Sequence, residues 1–123
     1  MIVSSVYRVN SDDVEEFYSL SKKWLSGLAN LPGWISGNVA RSVDEVDTWL
    51  INQNWVDAGS CRRGLSSSEL RPTAFALAKW MTSEVSTFET LITTNTSGVV
   101  EFKSDRAFDA DTFSLGNNNL DED

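Results

Sequence analysis

The stretch Thr48-Trp49-Leu50-Ile51-Asn52-Gln53-Asn54-Trp55-Val56 decides how this chain folds. Its bulky apolar residues predict a β-strand, and side chains alternate along a strand. One face carries Trp49, Ile51, Gln53 and Trp55, and the other carries Leu50, Asn52, Asn54 and Val56. Large apolar groups therefore point both ways. The strand expected over Trp34–Ser42 repeats the pattern, with Trp34 on one side and Ile35 and Val39 on the other. A sheet built from such strands needs cover on both faces.

Working outward, Ile2–Val9 reads as a first strand and the polar residues 10–13 as the start of a helix. Asp12 with Glu15 fits a capping box. Val14, Phe17, Ser21, Trp24 and Leu28 recur at helical spacing up to about Ala29, and Pro32-Gly33 breaks the pattern. The polar residues 43–47 suit a hairpin connection between the strands over Trp34–Ser42 and Thr48–Val56. Asp57 opens a short helix over 57–65, and Pro72 fits only the first turn of a second helix over about 69–84. Thr87–Thr94 is the expected fourth strand, and Val99–Phe102 a short extra one after the turn at residues 95–98. The order β-α-β-β-α-β predicts an α+β domain over 1–94 with both helices on one side of an antiparallel sheet. The remaining face is expected to meet a second copy of the chain, because two-fold dimers are the commonest oligomers. Residues 95–123 form the second expected segment: the extra strand, then an acidic tail that would be mobile or rest on a partner, with Phe108 and Phe113 favouring some docking.

Composition excludes several roles. The 123 residues suit one domain plus a tail. A net charge of −8 disfavours nucleic acid and anionic membranes as partners. No apolar run approaches the roughly 20 residues of a membrane span, and the N-terminus lacks the pattern of a signal peptide. The lone Cys61 suits a reducing cytoplasm, which is the expected compartment. With no histidine to activate it, Cys61 is a poor nucleophile. Neither His nor paired Cys is present for a metal, and Asp44-Glu45 reads as a solvated turn. No metal and no cofactor are expected. No internal repeat or phosphate-binding glycine loop occurs.

One segment carries a resemblance. Leu31-Pro32-Gly33-Trp34-Ile35-Ser36-Gly37-Asn38-Val39-Ala40-Arg41-Ser42, followed by Asp44 and then Asn54-Trp55-Val56-Asp57, resembles the antibiotic biosynthesis monooxygenase family of ferredoxin-like, dimeric α+β barrels. In that family a helix ends in Pro-Gly-aromatic, the next strand closes in Arg-Ser, and the following strand ends in Trp. The resemblance spans roughly residues 1–94 and implies a ligand pocket between each sheet and its helices. It also implies oxidation of planar aromatic or quinone-type molecules by molecular oxygen, without metal, haem or flavin. Trp55 then corresponds to the pocket tryptophan. Ile51 stands where the oxygenase branch has an asparagine, and Cys61 where it has a tyrosine. The haem-degrading branch needs a histidine, which would fall near Ala74, with its second tryptophan near Gly64; that mechanism is excluded in its usual form.

Two readings follow. In the first, a cofactor-independent monooxygenase binds an acidic aromatic molecule. Trp55 and an asparagine, Asn52 or Asn54, donate hydrogen bonds, and Arg71 or Arg41 balances the charge. Asn52 and Asn54 lie on the face opposite Trp55 in a regular strand, and a bulge would be needed to turn one inward. Tyr7, Trp49, Ile51 and Arg41 are the expected substrate-binding residues; Arg41 also reads as an exposed partner of Asp44. In the second reading the barrel is a non-catalytic dimer that binds a small metabolite or regulates. A purely structural module acting through the acidic tail is the remaining alternative.

Overall fold

The computed structural model describes residues 1–104; the expected acidic tail, Phe108 and Phe113 included, lies outside the described residues. Contacts divide the chain into two units, Met1–Thr90 and a second that begins at Leu91.

The first unit holds β1 (Ile2–Arg8), a single 3-10 turn (Ser11–Asp13), α1 (Val14–Leu28), β2 (Trp34–Arg41), β3 (Thr48–Trp55), α2 (Ala58–Leu65), α3 (Arg71–Ala78) and β4 (Ser86–Phe88). Its strands form an antiparallel sheet in the order β2-β3-β1-β4, the ferredoxin-like arrangement. The expected α+β class and antiparallel sheet are therefore present. The alternation of β3 is complete, with Trp49, Ile51, Gln53 and Trp55 all buried. They face α1, α2 and α3 together with Val3, Ser5 and Tyr7 of β1.

Glycines set two close approaches. Gly33 has φ 88°, and a Cβ there would lie 2.2 Å from Ser60 of α2. Only glycine both adopts that backbone and fits that gap. Its carbonyl accepts from the Val56 amide at 2.7 Å, so the turn into β2 is fixed to the end of β3. Gly64 of α2 lies close against the outer edge of the Trp55 ring, where an added Cβ would meet it at 2.4 Å. Asp57 caps α2 by accepting from the Ser60 amide at 2.7 Å, and these hydrogen bonds hold its carboxyl below the usual aspartate range.

Four expectations change in detail. The capping box does not form: the Asn10 side chain accepts from the Asp12 amide and caps the 3-10 turn, and α1 starts after Asp13 without a side-chain cap. Trp34 and Val39 share a face, because an irregularity between Trp34 and Ser36 shifts the register and reverses the alternation. The second helix stops at Ala78 rather than near 84. Residues 80–82 return to β1 instead, with Arg8 N–H donating to the Trp80 carbonyl at 2.8 Å and Thr82 N–H to that of Val6 at 3.0 Å. The fourth strand is short because Phe88 already pairs with Ile2, where β1 begins. From Leu91 the chain forms its own hairpin, β5 (Ile92–Asn95) with β6 (Gly98–Glu101), which includes the expected extra strand.

The helices cover one sheet face. On the other, Val6 and Phe88 are exposed, and Ile2, Leu50, Asn52 and Asn54 are half-buried. Among the described residues no helix is long and apolar enough to cross a membrane.

The Gly64–Trp55 contact yields a test. Gly64→Ala forces the ring or α2 to move, and overpacking of this kind costs about 1–3 kcal/mol. The expected result in urea denaturation is a lower midpoint with an unchanged slope.

Candidate functional site

The residues able to do chemistry lie where β1, β2 and β3 face the helices. Antiparallel partners point to the same side, so the register gives rows across the sheet. Arg41, Trp49 and Tyr7 form the first row; Val39, Ile51 and Ser5 the second; Gly37, Gln53 and Val3 the third; Trp34 and Trp55 the fourth.

Aromatic rings close both ends of this face. At one end Phe17 of α1 packs on Tyr7 at 5.1 Å, on Trp49 at 5.4 Å and edge-on to Trp80 at 5.5 Å between centroids. At the other, Trp34 meets Trp55 at 5.2 Å with the planes 89° apart. Trp34 also lies over Gly37, where a Cβ would come within 2.6 Å of its ring. Offset and edge-on ring pairs of this kind are favourable beyond the area they bury.

Polar groups are few and placed between these ends. The Trp55 indole N–H donates to Gln53 Oε1 at 2.9 Å, with both residues fully enclosed. The Tyr7 hydroxyl and Ser5 Oγ share a hydrogen bond of 2.8 Å. Burial pushes the Tyr7 phenol above its ordinary range, opposed by the Ser5 hydrogen bond, so it is neutral at physiological pH. Among the described residues two buried side-chain polar atoms have no hydrogen-bond partner: Ser21 Oγ on α1 and Trp49 Nε1 on β3.

Among the expected site residues, Trp55, Tyr7, Trp49 and Ile51 come together on the helix-covered face. Arg41 lies at its margin, exposed, with its guanidinium 4.9 Å from the centre of the Trp49 ring and its Nε donating to the Val46 carbonyl rather than to Asp44. Asn52 and Asn54 project to the opposite face, where Asn54 donates to Ser36 Oγ at 3.2 Å. The register of β3 is unbroken around them, so no bulge turns either one towards Trp55. Arg71 is exposed at the start of α3. Ile51 and Cys61, at the positions of the oxygenase asparagine and tyrosine, are both buried. Sequence reasoning passed over Gln53, Ser5 and Ser21 as site residues. The signal for Gln53 was present, since a carboxamide among Trp49, Ile51 and Trp55 on one strand face must find a buried partner. Among the described residues no group of three His, Cys, Asp or Glu is placed to hold a metal ion.

The fold has well-defined relatives among solved structures. SnoaB, a cofactor-independent oxygenase from Streptomyces nogalater, matches with 25% identity and a TM-score of 0.63 over 72% of this chain and 89% of its own. An antibiotic biosynthesis monooxygenase-like protein from Deinococcus radiodurans matches with 15% identity and a TM-score of 0.67 over 77% of this chain and 97% of its own. A conserved protein from Methanosarcina mazei matches with 20% identity and a TM-score of 0.62 over 69% and 84%. A scan of protein-family models and a search of curated proteins return no match. The neighbours bear out the resemblance to antibiotic biosynthesis monooxygenase-like proteins, and those below 25% identity do so through the fold.

The neutral Tyr7 phenol gives a pH test. A raised folded pKa means that its contribution to stability is complete below the unfolded tyrosine value of about 10 and is lost as pH climbs through the folded value. Wild type should exceed Tyr7→Phe in urea midpoint at neutral pH, and the gap should close above about pH 10. A gap that stays constant through that range would contradict the assignment.

Proposed function

We propose that the chain is a cofactor-independent monooxygenase acting on a planar aromatic or quinone-type molecule held on the helix-covered face of the sheet. The observation that carries this reading is the Trp55–Gln53 hydrogen bond, a fixed pair of polar groups in a dry aromatic surround. The 25% identity to SnoaB supports the same chemistry.

An anthrone-type substrate needs little from the protein. Loss of a ring-CH₂ proton leaves an electron-rich carbanion that passes an electron to oxygen. The resulting radicals join as a C–O bond, and the peroxide formed sheds water to leave a quinone carbonyl. One oxygen atom stays in the product, and the other departs as water with two substrate hydrogens. The residues' task is to hold the ring and stabilise negative charge on its oxygen, which fixed donors in a water-free site do well. Trp55 holds the Gln53 carboxamide in place through its N–H, the neutral Tyr7 supplies a donor, Trp49 and Ile51 supply wall, and Arg41 or Arg71 supplies positive charge at the margin. In this reading a second copy covers the open face through Val6, Leu50 and Phe88, and Asn52 and Asn54 belong to that interface rather than to the chemistry.

Oxygen uptake with anthrone in chelator-treated buffer tests the proposal. Trp55→Phe should lower kcat by about a hundredfold, the scale of loss when a positioning contact is removed and the reacting geometry shifts, while the melting transition remains cooperative. Failure of the wild-type protein to consume oxygen with any of several anthrones would count against catalysis. Saturable quenching of tryptophan fluorescence without product would instead favour the second reading, a non-catalytic barrel that binds a small metabolite. That reading draws on Ile51 standing where the oxygenase branch has its asparagine.

The interface is tested separately. Sedimentation equilibrium should return twice the chain mass for wild type and a single chain for Leu50→Glu, because a charge in an apolar interface is costly to desolvate. A monomeric wild-type protein would sink the second-copy cover.

A further inference from the structure

Gln53 lies on the helix-covered face of β3 and Ser21 on the buried stripe of α1, and neither belongs to the motif that carries the resemblance. An indole N–H can only donate, so the Gln53 carbonyl must face Trp55 and its NH₂ must point away, into the helix-covered face. Ser21 stands one turn beyond Phe17, whose ring touches Tyr7 and Trp49 in the first row. Helix α1 leaves the end of β1 and runs back antiparallel to it, since the turn that follows α1 is bonded through Gly33 to Val56 at the far end of β3. Four helical residues advance about 6 Å, and two strand residues advance about 6.6 Å. Ser21 therefore falls above the second row, Val39, Ile51 and Ser5, beside the row that holds Gln53. Its Oγ is closed to solvent, and its hydroxyl makes no bond to protein. A helical serine ordinarily bonds back to the carbonyl of the preceding turn. Here that bond is absent, which leaves a rotatable donor facing the sheet.

We propose that the Gln53 NH₂ and the Ser21 hydroxyl together receive the ring oxygen of the ligand, a carbonyl that becomes an enolate or phenolate, and thereby select oxygenated aromatics over plain ones. The inference rests on the aromatic-ligand reading above and assigns its polar contact to Gln53 instead of to Asn52 or Asn54. The amide that the resemblance places at position 51 is supplied from position 53, two residues along the same strand face, with Trp55 fixing its orientation. Aromatic rings on either side, Trp34 and Trp55 at one end and Phe17 and Trp49 at the other, sandwich the flat part of the molecule. The Ser21 hydroxyl is closed to solvent and without a protein partner, so a ligand oxygen that reaches it meets no competing hydrogen bond.

The test compares anthrone, which carries the ring oxygen, with dihydroanthracene, which lacks it, by titrating the intrinsic tryptophan fluorescence of the full chain. Ser21→Ala and Gln53→Met are close in size to the residues they replace, and cooperative melting confirms that each is folded. Each variant should weaken anthrone binding about ten- to hundredfold, the scale of a lost hydrogen bond to a buried oxygen, and leave dihydroanthracene binding within about twofold. Anthrone turnover by Ser21→Ala should fall with the same selectivity. Equal weakening of both compounds would show that the two residues only shape the face. Unchanged anthrone binding in both variants would show that the ring oxygen is held elsewhere, and either result overturns the assignment while leaving the oxygenase reading standing. A wild-type protein that binds neither compound overturns the aromatic-ligand reading itself, and this inference with it.

Discussion

The Trp55 indole is confined on every side, and much of the first unit is arranged around it. Its ring presses on Gly64 of α2, meets Trp34 edge-on, and hands its N–H to Gln53. Its backbone amide donates to the Met1 carbonyl at 2.8 Å, which aligns β1 beside β3. Each constraint explains a residue that would otherwise look arbitrary. Gly64 is a glycine within a helix because no Cβ fits beneath the ring. Gln53 is polar on an apolar strand face because a buried N–H without an acceptor is costly. Gly37 lacks a side chain because Trp34 occupies that space on its way to Trp55.

The same confinement sets the character of the site. Rings packed against rings keep water out, and hydrogen bonds gain strength in such surroundings. The polar groups on this face are donors or neutral pairs: two indoles, an amide, a phenol and two serines. Among the described residues no carboxylate is buried on this face. Such a surface suits an electron-rich ligand oxygen, and it offers little to a positively charged one. Charged residues gather at the edges instead. There Lys79 pairs with Glu16 at 3.3 Å, and the Trp80 N–H donates to Asp13 at 3.0 Å, tying the end of α3 to the start of α1. Exposed ion pairs of this sort add little stability by themselves.

The open face of the sheet carries a different logic. Its rows mix apolar and amide side chains: Ala40, Leu50 and Val6 in one, Asn38, Asn52 and Ser4 in the next. Amides both donate and accept, so such a row is compatible with a two-fold copy of itself. Strand alternation thus sets the asparagines and the tryptophans of one strand on separate sides.

The alternation of β3 was legible in the sequence, because side chains on a strand must alternate whatever surrounds them. It placed Trp49, Ile51, Gln53 and Trp55 together, set Asn52 and Asn54 apart from them, and implied that one face would lie open. The Pro32-Gly33 break and the Phe17, Ser21, Trp24 and Leu28 stripe likewise follow from local geometry. The end of α3, the length of the fourth strand and the shared face of Trp34 and Val39 did not. Each depends on a partner distant in sequence: β1 draws residues 80–82 out of the helical pattern, β1 begins opposite Phe88, and an irregularity in β2 is visible only against β3. Gln53 and Ser21 fall between the two cases. Their types and faces could be read from the chain, but that one accepts from Trp55 while the other lacks a partner is settled by how the helices lie on the sheet.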